Sequence, residues 1–313
     1  VTKQTHIVTI LGAGVWGNAL ATLARRNQHQ VRLWSRRSFE PLASAISEAE
    51  IIISAVSMKG VRPLIEQLQT VQLPKKSIIV TATKGLDPIT TLTPSQIWQA
   101  TFLNHPVVVL SGPNLSKEIE CGLPAATVVA SNDLESAEIV QQVFASDTFR
   151  VYASSDPLGA ELGGTLKNVM AIAAGVCDGL QLGTNAKAAL LTRALPEMIR
   201  VGTYLGANPE TFFGLSGLGD LIATCDSPLS RNYQVGYQLA QGLSLEEIFS
   251  KLEGTAEGVN TTDVLVKTAV RQHLAVPIAN QVYRLLHGKI TPQQAVQALM
   301  ARELKEEFSD LEL

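Results

Sequence analysis

The stretch "HIVTILGAGVWGNAL" constrains the fold of this chain more than any other. A run of β-branched residues leads directly into Gly12, Gly14 and Gly17, a GxGxxG pattern, and then into helix-forming residues. Glycines at that spacing between a strand and a helix permit a tight turn, close approach of the backbone to a pyrophosphate, and close helix-to-strand packing, while the helix N-terminus favours negative charge. A dinucleotide-binding βαβ unit is therefore expected at the start of the chain. Val15 and Trp16 lie inside the same turn; the indole either packs into the core or covers the ligand, and the pattern leaves both readings open.

Short β-rich runs continue at helical intervals: "QVRLWS", "EIIISAV", "SIIVTAT", "PVVVLSG", "ATVVAS" and "FRVYAS". Strands that alternate with helical segments predict an α/β fold, here a Rossmann-like, doubly wound and mostly parallel sheet. After about Ser154 the β-rich runs stop and apolar residues recur at helical spacing, which predicts an all-α C-terminal half. The expected domains are residues 1–154, binding the dinucleotide, and 155–313, holding substrate. Thr291 before Pro292 reads as a helix cap with a first-turn proline, and Pro196 is expected to kink its helix.

Composition narrows the choice of partners. Of the 313 residues 46% are hydrophobic and 17% charged, with a net charge of −3 and no run of like charges, so neither nucleic acid nor an anionic membrane surface is indicated. No apolar stretch is long enough to span a bilayer, and the first residues lack a basic segment followed by an apolar signal core, so a cytoplasmic location is expected. The cysteines, Cys121, Cys177 and Cys225, are far apart and form neither a disulfide framework nor a paired metal-ligand spacing. No metal is expected.

The chemistry-bearing residues follow the strands. At the end of the second strand, where an NAD-selective site usually carries an acid for the ribose hydroxyls, stand Arg36 and Arg37. A guanidinium pairs bidentately with a 2′-phosphate, which points to NADP(H), or to dual use with NAD(H); a solvated basic turn is the alternative. Lys84, after the fourth strand, could hold a substrate phosphate or a reacting oxygen, with Lys59 the weaker rival. "SGPNLSKE" offers Gly112, and Asn114 or Ser116 as helix caps or as polar groups lining a substrate cleft.

Lys167 lies on the first long helix after the sheet, with Gly163 and Gly164 four and three residues before it and so on the same face. Each glycine costs about 1 kcal/mol in a helix interior, so the pair suggests close approach, either of a ligand beside the ammonium or of another helix. A buried lysine suits proton exchange with a carbonyl oxygen during hydride transfer. In "GLSGLGDLIATCDSPLSRNYQVG", Asp220 could pair with Lys167, Arg231 could bind a phosphate, and Thr224 and Asn232 could serve hydroxyls or phosphate. Helix capping by Asp220 and a surface role for Arg231 are the plain alternatives. Glu257, in "EGTAEGVNTT", could meet a cofactor. The five histidines sit away from these motifs, which disfavours a histidine-based dehydrogenase.

Together, "GAGVWGNALA", "TATKGLD", "LSGPNLSKEI", "LKNVMAIAAGVCDGL", "NAKAALLTRAL", "GLSGLGDLIATC" and "SRNYQVG", in this order along nearly the whole chain, resemble the NAD(P)-dependent glycerol-3-phosphate dehydrogenases. The resemblance implies reversible reduction of dihydroxyacetone phosphate to sn-glycerol 3-phosphate, for phospholipid synthesis. It implies Lys167 as the proton-transfer residue and Lys84 as a contact to substrate and cofactor. Gly112, Asn114 and Ser116 would line the substrate and nicotinamide region, with Ser116 touching both ligands. Asp220, Ser230, Arg231 and Asn232 would complete the substrate pocket, Arg231 also reaching the cofactor, and Asn168 and Thr224 would touch substrate. Val15, Trp16, Arg36, Arg37, Thr255 and Glu257 would meet the dinucleotide. A homodimer is compatible with the resemblance.

Two departures stand out: "SFEPLASAI" after Arg37 is shorter than the segment of many relatives, and Asn114 stands where Ser or Thr is frequent. Two other functions compete. A β-hydroxyacid dehydrogenase would select a carboxylate over a phosphate. A non-catalytic NADP(H)-sensing module, its helical half meeting a partner protein, would lack a cavity holding Lys84, Lys167 and Asp220 together.

Overall fold

The computed structural model of the chain describes residues 4–304 together with 306 and 307. Seven strands, β1 (Ile7–Leu11), β2 (Gln30–Trp34), β3 (Ile51–Ser54), β4 (Ile78–Thr81), β5 (Val107–Ser111), β6 (Ala125–Ala130) and β7 (Phe149–Ser154), coincide with the seven β-rich runs. Between them lie α1 (Val15–Arg26), α2 (Leu42–Ile46), α3 (Met58–Gln69), α4 (Pro94–Thr101), α5 (Ser116–Glu120) and α6 (Leu134–Phe144). The strands form one sheet in the order β2-β1-β3-β4-β5-β6-β7. All neighbouring pairs are parallel except β5 and β6.

The residue types explain this arrangement. Every residue of β3, β4 and β5 is buried, as in a parallel sheet covered on both faces. Alternate residues serve opposite cores: Ile51, Ile53, Val80 and Val108 pack on one side with α1 and α6, and Ile52, Ile79 and Val107 on the other with α3 and α4. The chain leaves β1 for β2 on one side and returns as β3 on the other. The ends of these three strands therefore open a crevice where this topology binds ligands.

The remaining helices are α7 (Pro157–Gly179), α8 (Gly183–Tyr204), α9 (Asp220–Cys225), α10 (Arg231–Ala240), α11 (Leu245–Lys251), α12 (Glu257–Gln272), α13 (Pro277–Leu286) and α14 (Pro292–Met300). Nearly all of α7 is buried, as its small and apolar residues require. It packs backbone against backbone on α10: a Cβ on Gly175 would lie 2.0 Å from the Tyr233 carbonyl oxygen, and one on Gly236 would lie 1.9 Å from that of Ile172. At α14, Thr291 accepts from the Gln294 amide and Pro292 occupies the first turn. Pro196 lies inside helix α8.

Two compact units divide the chain: one takes residues up to Lys84 and Leu92–Glu161, the other Gly85–Thr91 and everything from Leu162. The division falls later than the compositional change near Ser154, because the first turn of α7 belongs to the sheet unit. Ala160 packs with Val109 and Ala130, and Glu161 accepts from the Ser95 amide and hydroxyl at the start of α4. The short segment 85–91 joins the helical unit through Gly85 N, which donates to Thr165 Oγ1, and Leu86 O, which accepts from Asn260.

Burial pushes the Glu161 carboxyl up to about 7, against the lowering effect of its hydrogen bonds from Ser95 and Thr93. A carboxyl raised from 4.5 to about 7 favours the fold when protonated. Its contribution is complete below pH 4.5 and lost as pH rises to about 7, on the order of 3 kcal/mol in all. Glu161→Gln keeps an acceptor for Ser95 N and donates to Ser95 Oγ. This variant is expected to remove that loss. Denaturant unfolding at pH 5 and pH 8 checks it: an unchanged difference between the two pH values would refute the assignment.

Candidate active site

In the sheet unit the three motif glycines have separate jobs. A Cβ on Gly12, whose φ is +123°, would lie 2.6 Å from the Ala55 carbonyl oxygen, and one on Gly17 would lie 1.8 Å from that of Gly12. These two residues let β1, β3 and α1 close on one another. Gly14 faces open space, with no atom within 4 Å of a Cβ placed there. Its backbone at the start of α1 is free for an anion to approach.

Gly12 and Gly14 line a cavity of about 370 Å³ together with Arg36, Arg37 and residues from the ends of β2 and β3. Both arginines are exposed at its rim. Gly-rich backbone for a pyrophosphate and guanidinia for a 2′-phosphate fit a nicotinamide dinucleotide phosphate. Val15 projects into solvent beside this cavity's turn, and Trp16 packs half-buried against the sheet core. Neither lines the cavity, so for Trp16 packing is the reading the structure favours.

Further along the same sheet edge, half-buried Lys84 donates from Nζ to the Gly112 carbonyl at 3.4 Å. Gly112 has φ +154°, and a Cβ there would lie 3.0 Å from Thr127 Cα. Neither Asn114 nor Ser116 caps α5: the capping position is Leu115, without a side-chain bond. Asn114 Nδ2 instead donates to Thr127 Oγ1 at 2.9 Å, and Thr127 donates to Ser111 O. The antiparallel pairing of β5 with β6 brings Thr127 there. Asn114 Oδ1 is buried with no hydrogen-bond partner among the described residues. Ser116 begins α5, half-buried, and Lys59 is exposed on α3.

In the helical unit, Lys167 is buried at 6% exposure and Asp220 at 2%. The ammonium lies 2.9 Å from Asp220 Oδ1 and donates to Thr224 Oγ1, which in turn donates to Asp220 Oδ1 at 3.0 Å. Asp220 and Thr224 are four residues apart on one face of α9, so both reach the same ammonium. The carboxylate stabilises a charge that burial alone would disfavour. Asp220 is thus the ion-pair partner, not a cap.

Of the two readings of Gly163, its surroundings support close approach of another segment and not room for a ligand. A Cβ there would lie 2.7 Å from the Ser216 carbonyl oxygen, in the wide turn Leu215–Gly219 that precedes α9. Gly163 brings the α9 segment close to α7, and with it Asp220. Asn168, next to Lys167, accepts from Asn232 Nδ2 at 2.9 Å, and Asn232 Oδ1 accepts from Gly258 N. Ser230 caps α10 by accepting from the Tyr233 amide. Arg231 is exposed at the start of α10 and lies against Gly254, where a Cβ would sit 2.5 Å from its Nη1. Thr255 is exposed in the same loop, and Glu257 opens α12.

Gly258 is a residue that sequence reasoning missed. A Cβ there would lie 2.6 Å from the Asn168 carbonyl oxygen, so it lets α12 reach the Asn168–Asn232 pair. The signal was the second EG of "EGTAEG". Among the described residues there is no group of three or more His, Cys, Asp or Glu able to hold a metal, and no helix long and apolar enough to cross a membrane. Cys121 is exposed, and Cys177 and Cys225 are buried; all three are free.

Family models described as the N-terminus and the C-terminus of NAD-dependent glycerol-3-phosphate dehydrogenase match residues 7–43 and 38–137, and residues 156–297. A glycerol-3-phosphate dehydrogenase (NAD(P)+) of Acaryochloris marina is 66% identical over 308 residues, 98% of this chain and 99% of the relative. One from Synechocystis is 64% identical, over 98% of this chain and 96% of the relative. A crystal structure of glycerol-3-phosphate dehydrogenase from Coxiella burnetii superposes with a TM-score of 0.91 at 34% identity, covering 95% of this chain and 99% of that one.

Proposed function

Because the chain belongs to the NAD-dependent glycerol-3-phosphate dehydrogenase family, we propose that Lys167 is the proton-transfer residue of its reaction, and that Arg36 and Arg37 set its cofactor preference. The protein is an NAD(P)-dependent oxidoreductase that interconverts dihydroxyacetone phosphate and sn-glycerol 3-phosphate. The buried Lys167–Thr224–Asp220 assembly carries the residue assignment, since it fixes an ammonium in place in a member of a family whose reaction needs a proton donor at the carbonyl oxygen.

NADPH or NADH, when bound, supplies a hydride to the carbonyl carbon of the substrate. Lys167 gives a proton to the carbonyl oxygen as negative charge develops there, and takes it back in the reverse direction. Asp220 and Thr224 hold the ammonium in place and keep it charged for that task. Asn168 and Asn232, tied to each other and to the Gly258 amide, present amide groups suited to substrate hydroxyls. The exposed Arg231 suits the substrate phosphate and Lys84 a second anionic oxygen. Asn114 Oδ1, without a hydrogen-bond partner among the described residues, has acceptor capacity suited to a donor such as a carboxamide. A cytoplasmic setting accords with this reading, as the reactants are small and water-soluble.

Steady-state kinetics with dihydroxyacetone phosphate and each cofactor test the proposal. Replacing both Arg36 and Arg37 with alanine is expected to raise the KM for NADPH about thirty-fold and that for NADH less than about two-fold. Equal effects on both would overturn the 2′-phosphate role. Turnover of a non-phosphorylated hydroxy acid in preference to glycerol 3-phosphate would overturn the substrate.

A further inference from the structure

Lys167 is held by residues of a short helix, α9. α9 has six residues, less than two turns, and continues from the wide helical turn Leu215–Gly219, so contacts with neighbouring helices are needed to fix its far end. Its first residue, Asp220, and its fifth, Thr224, grip Lys167. The residue that ends it, Asp226, is 78% exposed, yet its Oδ1 accepts from Lys187 Nζ of α8 at 3.0 Å. The same ammonium donates to Asp178 Oδ2 on α7 at 2.7 Å. That oxygen also accepts from the Tyr233 hydroxyl of α10 at 2.7 Å, and Lys187 Nζ stands 5.6 Å from the centre of the Tyr233 ring.

Asp178 follows Lys167 by eleven positions, about three turns, so the two lie on one face of α7. That face therefore meets the α9 segment twice. Lys167 engages the helix itself, and Asp178, through Lys187, engages the residue that ends it. Tyr233 brings α10, which carries Arg231 and Asn232, onto the same carboxylate. Burial works against the charge of Lys187, but its hydrogen bonds to Asp178 and Asp226 more than offset that, and its pKa is raised. The ammonium is thus a permanent cation between two carboxylates at ordinary pH. Tyr233 is pushed up to about 12 by burial and by its bond to Asp178, so it stays a donor.

We propose that Lys187 is a positioning residue, which with Asp178, Asp226 and Tyr233 fixes α9 and α10 on α7 so that Asp220 and Thr224 meet Lys167 in register. The proposal rests on the role given to Lys167 above, and its test includes a readout that does not depend on turnover. Cys225, between Thr224 and Asp226, has no exposed surface, so its reaction with a thiol reagent reports loosening of the end of α9.

The central variant is Asp226→Ala, whose exposed side chain makes a folding defect the least expected. Cys225 labelling, followed by mass spectrometry in the native enzyme, should accelerate about ten-fold, and kcat with dihydroxyacetone phosphate should fall about five-fold. The KM for NADPH should stay within about two-fold and the melting temperature within about 2 °C. Lys187→Met should lower kcat by more than about ten-fold, and Lys187→Arg, whose guanidinium reaches two carboxylates, should restore it to within about three-fold of the parent. Unchanged Cys225 labelling in Asp226→Ala, or a kcat for Lys187→Met within about two-fold of the parent, would overturn the proposal. A parent enzyme inactive towards dihydroxyacetone phosphate would sink the substrate assignment instead, while the labelling result would still decide whether the tether exists.

Discussion

Replacing Lys167 with alanine is expected to lower kcat by about a thousand-fold with dihydroxyacetone phosphate as substrate, within the range ascribed to a positioned general acid. NADPH binding should be retained, because the glycine turn and Arg36 and Arg37 belong to the other compact unit of the chain. The variant leaves Asp220 buried without its cation, a condition that typically costs roughly 3–5 kcal/mol. A lower melting temperature is therefore part of the expected result, and kinetics should be measured well below it. Stopped-flow oxidation of NADPH in a single turnover separates the chemical step from binding. A rate within about ten-fold of the parent would assign the proton to another group.

The second large effect is expected at Gly17. A methyl group there overlaps the Gly12 carbonyl oxygen, at 1.8 Å, so α1 has to withdraw from the turn that follows β1. Gly17→Ala should weaken NADPH binding by at least about a hundred-fold and cost stability of roughly 1–3 kcal/mol, the usual range for overpacking. Gly14→Ala provides the contrast. Its backbone φ of −79° suits alanine, and a Cβ there meets nothing within 4 Å, so stability should hold while the methyl group stands where an anion would approach. Titration of cofactor fluorescence and thermal unfolding read both quantities. Parent-like affinity in Gly17→Ala would show that the turn is not the dinucleotide site.

The sheet was legible because its signals are local. Strand-length runs such as "IIIS" and "VVVLS" are continuous and β-branched, since both faces of β3 and β5 are buried, and the glycine motif lies within one turn. The Lys167–Asp220 pair was legible for another reason: a lysine in an apolar helix needs an anion. What escaped depends on contacts between distant segments. Gly163 left both a ligand and a second helix as candidates, and only the fold shows that the backbone of Ser216 fills that space. Asn114 looked like a helix cap because its true partner, Thr127, arrives only through the antiparallel pairing of β5 and β6. Glu161 carried no local sign of burial, and Gly258 drew less notice than the charged residue beside it.

The seam between α7 and α10, where Gly175 and Gly236 bring the two backbones together, bears on how this protein can change over time. Core side chains can be exchanged for others of similar volume, and such exchanges shift helices by small amounts. A seam made of glycine backbone offers nothing to exchange, since the smallest addition at Gly236 would meet the Ile172 carbonyl at 1.9 Å. The spacing of Asn168 and Asn232 is thereby insulated from substitutions elsewhere in the core. Drift in sequence can alter stability and surface in this chain while the distance across which Asn168 and Asn232 face each other stays the same.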